Sequence, residues 1–135
     1  MRYLFDTSAL LAHYRSERGG EAVHRLLQND AIEPVIASIT IAEFTRRLRD
    51  LGADEKTIAE VMESYLAMME EVVPVDAPVA WESDRLQRVS PQRLPLADAL
   101  IAACAKSREA TLVHRDVHLR HLPEGLLSQL DLDRP

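Results

Sequence analysis

The sequence predicts an α/β fold, a parallel sheet covered on both faces by helices. Three observations carry this. Short, mostly apolar runs recur along the chain at Tyr3-Leu4-Phe5, Pro34-Val35-Ile36-Ala37, Val72 to Val75 and Thr111-Leu112-Val113, as strands buried on both faces require. Between them lie longer stretches with apolar residues at helical spacing. The alternation of the two implies right-handed strand–helix–strand crossovers.

Each element has its own signal. The first strand, Tyr3 to Phe5, leads into a helix with Thr7 or Ser8 as N-cap. Gly19-Gly20 breaks it from a second helix near Glu21 to Gln28, before the strand at Pro34 to Ala37. Ser38 or Thr40 begins a helix in which Ile41, Phe44, Leu48 and Leu51 form the apolar stripe, and Gly52 stops it. Asp54 caps a long helix with the stripe Ile58, Val61, Met62, Tyr65, Leu66 and Met69. After the strand at Val72 to Val75 come a helix over Val79 to Arg88 and a loop from Ser90 to Leu94. Pro95 suits the first turn of a helix running to about Glu109. Thr111 to Val113 is the fourth strand. Leu126 to Leu130 is a short fifth strand or a helical turn, which periodicity does not separate.

The chain of 135 residues is 47% hydrophobic and 28% charged, the balance of one globular domain spanning residues 1–135. Cys104, the single cysteine, sits in ALIAACA and reads as a buried thiol in a reducing compartment. No apolar stretch is long enough for an export signal or a membrane span, so the expected location is the cytoplasm. The net charge of −6 argues against a general nucleic-acid coat. Lys56 and Lys106 are the only lysines; the other bases are arginines, whose planar fork suits phosphate.

Four acids stand out. Asp6 ends the first strand and Asp116 follows the fourth, at the carboxyl ends where open parallel sheets place ligands. Glu43 and Asp98 fall early in apolar helices. Each has an ordinary reading: Asp6 as a helix cap, Glu43 paired with Arg47, Asp98 complementing a helix N-terminus, Asp116 in a turn. Taken together, all four map to one edge of the sheet. Clustered carboxylates repel one another, and a fold that keeps them suits a hard cation.

The segments YLFDTSALLA, SITIAEF, LPLADALIAACA and TLVHRD, in this order and spacing from Tyr3 to Asp116, resemble the successive motifs of PIN-domain ribonucleases. The subgroup they resemble most is the VapC-type toxin of toxin–antitoxin pairs. The resemblance implies a three-layer α/β/α sandwich with a central parallel sheet, and an endoribonuclease that cuts single-stranded RNA with Mg2+ or Mn2+. It implies Asp6, Glu43, Asp98 and Asp116 as the catalytic and metal-holding acids. Thr7 and Ser8 match the small hydroxyl positions beside the first acid, and Thr40 a hydroxyl one turn before the helix glutamate. It also implies a small antitoxin partner and a homodimer.

The last motif departs from the family pattern, with His114 in place of Ser or Thr, His118 in place of a second Asp and Leu119 in place of an aromatic. This removes a fifth acid and weakens the case for a second metal. His118 becomes a substrate contact close to Asp116. A zinc cluster of His114, His118 and His121 is the rival reading. Arg46, Arg47 and Arg49 follow Glu43 and are read as an RNA-backbone grip beside the acids, to which Arg85, Arg93 and Arg115 add, with a solvated face as the alternative. Other readings of the whole are a housekeeping RNA-processing nuclease, an inactive PIN-like binding module, and a phosphoacceptor receiver domain built on Asp76.

Overall fold

The computed structural model describes residues 1–134. The elements run β1 (Arg2–Phe5), α1 (Thr7–Tyr14), α2 (Gly20–Leu27), β2 (Glu33–Ala37), α3 (Ser38–Asp50), α4 (Glu55–Met68), β3 (Glu71–Val73), α5 (Ala77–Val89), α6 (Leu96–Ser107), β4 (Thr111–His114), α7 (Val117–Arg120) and β5 (Gln129–Asp131). The strands form one parallel sheet in the order β3-β2-β1-β4-β5. The chain builds outward from β1 through β2 to β3, then returns to the other side of β1 with β4 and β5. The order therefore reverses between β1 and β4, and that crevice is the switch point where such sheets bind ligands.

Alternation along the strands makes the three layers. Leu4, Val35, Ala37 and Leu112 join a core with Val79 and Leu86 of α5 and Ile101 to Ala105 of α6. Their neighbours Phe5, Ile36 and Val113 point the other way, into a core with residues of α1 to α4, including Leu10, Val23, Phe44, Leu48 and Tyr65. A period of two thus feeds both faces, which is why the inner residues of β1, β2 and β4 read as short unbroken apolar runs. Cys104 is buried in the first core, and burial pushes its thiol up to about 11, an inert thiol. Among the described residues, no helix is long and apolar enough to cross a membrane.

Several boundaries differ from expectation for local reasons. The cap of α1 is Asp6 itself, which accepts from the Ala9 N–H, not Thr7 or Ser8. Leu51 is exposed and forms the C-cap of α3, so the buried stripe ends at Leu48. β3 stops at Val73 because Pro74 has no N–H to extend the ladder, and the Val75 N–H donates instead to Ser38 Oγ (3.2 Å). α5 begins at Ala77, two residues earlier than expected, because Asp76 caps it by accepting from the Val79 N–H. α6 ends at Ser107, and Glu109 turns the chain with φ 52°. The fifth strand is Gln129–Asp131, while Leu126 and Leu127 pack on the α5/α6 core. At Gly20 a Cβ would collide with the Ala12 carbonyl oxygen, so only glycine lets α2 approach α1 this closely.

Candidate active site

The four acids reach one cleft from four different elements. Asp6 leaves β1 with its N–H donating to the Val113 carbonyl (3.1 Å), which ties it to β4 across the switch point. Its carboxylate is buried, with Oδ1 accepting from Ser8 Oγ (2.7 Å) and the Ala9 N–H (2.8 Å). Ser8 Oγ in turn accepts from the Arg115 N–H (2.9 Å), so one hydroxyl spans both strand ends. Asp116 lies two residues beyond β4, its N–H donating to His114 Nδ1 (3.0 Å) and its Oδ1 accepting from the His118 N–H (2.8 Å). Asp98 sits in the first turn of α6. Glu43, in the second turn of α3, accepts from Thr7 Oγ1 (2.7 Å).

Together with Ser8, Leu11, Arg46, Arg47, Asp50 and Ile101, these residues line a cleft of about 510 Å³. Its electrostatics are uncompensated. Burial, reinforced by Asp116 and Asp98, raises the Asp6 carboxyl to about 7 in spite of its two hydrogen bonds. Burial also raises Asp98 to about 7, with Asp116 and Glu43 adding to the rise and His118 opposing it. A protein gains nothing in stability from such groups at neutral pH. The donor set, carboxylate oxygens with the imidazole of His118 in reach of Asp98 and Asp116, fits a hard or borderline divalent cation. The residues present therefore suit the metal that the sequence motifs imply.

The tentative contacts divide. Arg46 lines the cleft, whereas Arg49 is held elsewhere by Glu55 through two hydrogen bonds of 2.9 and 2.8 Å. Arg115 is paired with Glu17 and Asp133 instead of facing the cleft. Thr7 and Ser8 do line it, but their hydroxyls are engaged in aligning Glu43 and Asp6. Thr40 is fully buried with Oγ1 unpartnered, out of reach of a substrate in this conformation. The Glu43–Arg47 ion pair does not form among the described residues; Glu43 turns to Thr7. Arg47 lines the cleft beside Arg46, and sequence reasoning missed Asp50, although from Glu43 the positions 46, 47 and 50 fall at i+3, i+4 and i+7 on the same helix face.

The three histidines do not form one site. His114 is buried, with Nε2 2.7 Å from Gln129 Oε1 and Nδ1 accepting from the Asp116 N–H, which makes Nε2 the donor. Burial lowers its pKa. Only His118 joins a metal-competent group, with Asp98 and Asp116, among the described residues. Asp76, the receiver-domain candidate, is a helix cap.

Comparison with solved structures returns the same architecture. VapBC2 from Rickettsia felis, bound to a DNA fragment from its promoter, superposes with a TM-score of 0.75 at 19% identity, covering 97% of this chain and 98% of that one. FitAcB from Neisseria gonorrhoeae superposes at 0.74 with 21% identity over 100% of both chains. VapBC-1 from nontypeable Haemophilus influenzae gives 0.73 and 20%, covering 99% of this chain and 100% of that one. At these identities the likeness speaks for the fold. No curated protein matches the sequence. The PIN domain family, however, matches residues 3–125, a span that contains every acid of the cleft. With that match and this topology, the chain belongs to the PIN domain family.

Proposed function

We propose that this protein is a divalent-cation-dependent endoribonuclease that hydrolyses RNA phosphodiester bonds, and that it is the toxin of a toxin–antitoxin pair. The observation that carries the reading is the convergence of Asp6, Glu43, Asp98 and Asp116 on one cleft beside Arg46 and Arg47. Asp6, Asp98 and Asp116 would hold Mg2+ or Mn2+, with Glu43 at the rim. When bound, such a cation polarises a phosphodiester and makes a water more acidic for in-line attack.

The chain's own groups do the rest. Ser8 and the Ala9 N–H fix the Asp6 carboxylate, and Thr7 fixes Glu43, so neither must reorganise when substrate arrives. Glu43 forms no ion pair with a guanidinium among the described residues and is the carboxylate set to take a proton from attacking water. Arg46 and Arg47 bind the phosphates that flank the scissile bond. A protein antitoxin is the expected partner. This is supported by the likeness to a toxin–antitoxin complex from Klebsiella pneumoniae, with TM-score 0.72, 19% identity and coverage of 96% of this chain and 97% of that one. A single-domain homodimer in the cytoplasm completes the reading.

The test is cleavage of single-stranded RNA by the purified protein with and without Mg2+ or Mn2+, alongside Asp98→Asn. The wild type should cut only with the cation. The variant should lose at least about a hundredfold, because a ligand matters no less than the partners behind it, and should keep its circular dichroism spectrum. Undiminished cleavage by a folded Asp98→Asn protein would refute the assignment.

A further inference from the structure

We propose that His118 is a cation ligand, and that with Asp98 and Asp116 it forms a mixed nitrogen–oxygen position that prefers a transition-metal ion such as Mn2+ over Mg2+. The inference rests on the reading of the cleft as a cation site and adds a ligand and a selectivity to it.

The geometry comes first. His118 Nδ1 lies 3.1 Å from Asp116 Oδ1 and 3.7 Å from Asp98 Oδ2. Three ligand atoms, one from each residue, lie within 4.8 Å of one another. Two atoms bound to one ion at about 2.1 Å can be no more than about 4.2 Å apart. Both imidazole distances already satisfy that limit without movement of the backbone.

The ring is also held in place. His118 is the second residue of α7, whose cap is Asp116, and its own N–H donates to the Asp116 carboxylate. At the next position, Leu119 is buried in the core and anchors the helix. The backbone of His118 is thereby fixed beside the two acids, and its Nδ1 is within hydrogen-bond distance of Asp116 Oδ1. It is also the open side of the group: the His118 side chain is 45% exposed, against 15% for Asp98 and 22% for Asp116, which leaves a route for an ion from solvent.

Donor chemistry then decides the preference. Mg2+ demands oxygen ligands in a near-ideal octahedron and gives up its waters reluctantly. Imidazole suits first-row transition-metal ions, among which affinity rises from Mn2+, the weakest binder, towards Cu2+, and a nitrogen donor costs any of them less than it costs Mg2+. An aspartate at this position would complete an all-oxygen set; histidine instead supplies one nitrogen.

The experiment measures binding, not activity. Mn2+ and Mg2+ affinities are determined by calorimetry for the wild type, His118→Ala, His118→Asp and Asp98→Asn, and pulsed electron paramagnetic resonance is recorded on each Mn2+-loaded protein. The wild type should show a directly bound nitrogen. His118→Ala should lose that signal and at least about tenfold in Mn2+ affinity, with little change for Mg2+. His118→Asp should also lose the signal and bring the two affinities closer together by strengthening Mg2+. Wild-type protein that binds Mn2+ without nitrogen coupling, or His118→Ala with an unchanged Mn2+ to Mg2+ ratio, overturns the assignment of His118 alone. Wild type that binds neither ion, or Asp98→Asn that binds both as tightly, overturns the cation reading of the cleft as well.

Discussion

Two clusters of carboxylates lie in this molecule, and they are treated in opposite ways. At the C-terminal edge, Asp131 and Asp133 are surrounded by guanidinium groups: Arg120 reaches both, and Arg18 and Arg115 reach Asp133. Burial would raise the Asp131 carboxyl, but the Arg120 hydrogen bond and the Asp133 N–H outweigh it and hold the group below the usual range. In the cleft, Asp6 and Asp98 are pushed up to about 7, and the two arginines nearby, Arg46 and Arg47, make no ion pair with them among the described residues. The first cluster is a structural clasp whose charges are already balanced. The second has its balancing charge left to something the chain does not supply.

The largest effect that would sharpen this contrast is in the dependence of stability on pH without metal. Asp6 has a folded pKa raised above its unfolded value, so the native state binds the extra proton between about pH 4 and 7 and stability falls as pH rises through that window. Asn keeps an oxygen to accept from Ser8 and Ala9 but carries no charge. In a chelator, Asp6→Asn and wild type should be nearly equal at pH 4, and the variant should lead by a few kcal/mol at pH 8, since every tenfold weakening of the carboxylic acid by the fold corresponds to about 1.36 kcal/mol. Parallel denaturation curves at both pH values would mean that the cleft is not strained.

The next is cation linkage. At a hundred times its dissociation constant, Mn2+ or Mg2+ should stabilise the wild type by about 2.7 kcal/mol, a rise of several degrees in Tm. The Asp6→Asn/Asp98→Asn protein should not respond. Equal responses would place the ion elsewhere.

At the clasp the signs reverse. Asp131→Asn should cost about 1.5–3 kcal/mol at pH 7, the range for hydrogen bonds to a charged group. Because the folded pKa is lowered, that cost should begin to fade as pH drops below the unfolded value near 4 and vanish once pH passes below the folded one, and metal should not alter it. A variant as stable as wild type at pH 7 would show that the clasp contributes nothing.

The smallest effect concerns the arginines. On an Asp98→Asn background with metal present, Arg46→Ala and Arg47→Ala should each reduce the slope of RNA affinity against salt, on logarithmic axes, by about one, while Arg49→Ala should not. An equal effect at Arg49 would move the RNA path off the cleft.

The sheet, its two covered faces and the four acids were legible because each leaves a local mark: apolar runs, helical stripes, and acids just past strand ends. The boundaries that failed depended on one side chain choosing a partner. Asp6 and Asp76 displaced the expected helix starts by capping. The four-residue helix α7 is too short to carry a period. The error over Arg49 was one of rotation, because position 49 points away from the face that carries Glu43. The bond from the Arg115 N–H to the Ser8 hydroxyl, 107 positions away, which joins Arg115 to Asp6, could not be read, since nothing local announces it.

The pairing of β1 with β4 has a further consequence, for the growing chain. β1 can join β2 once Ala37 has been made, but its other edge waits for Thr111 to Val113. At about 5–20 residues per second, that edge stays open for roughly 4–15 s of synthesis. Asp6 and Asp116 face one another only after this long-range closure, the slow kind of contact in folding. A ribosome carrying an unfinished copy therefore carries only one side of the cleft. The four acids can share one cleft only in a chain whose synthesis has passed Asp116.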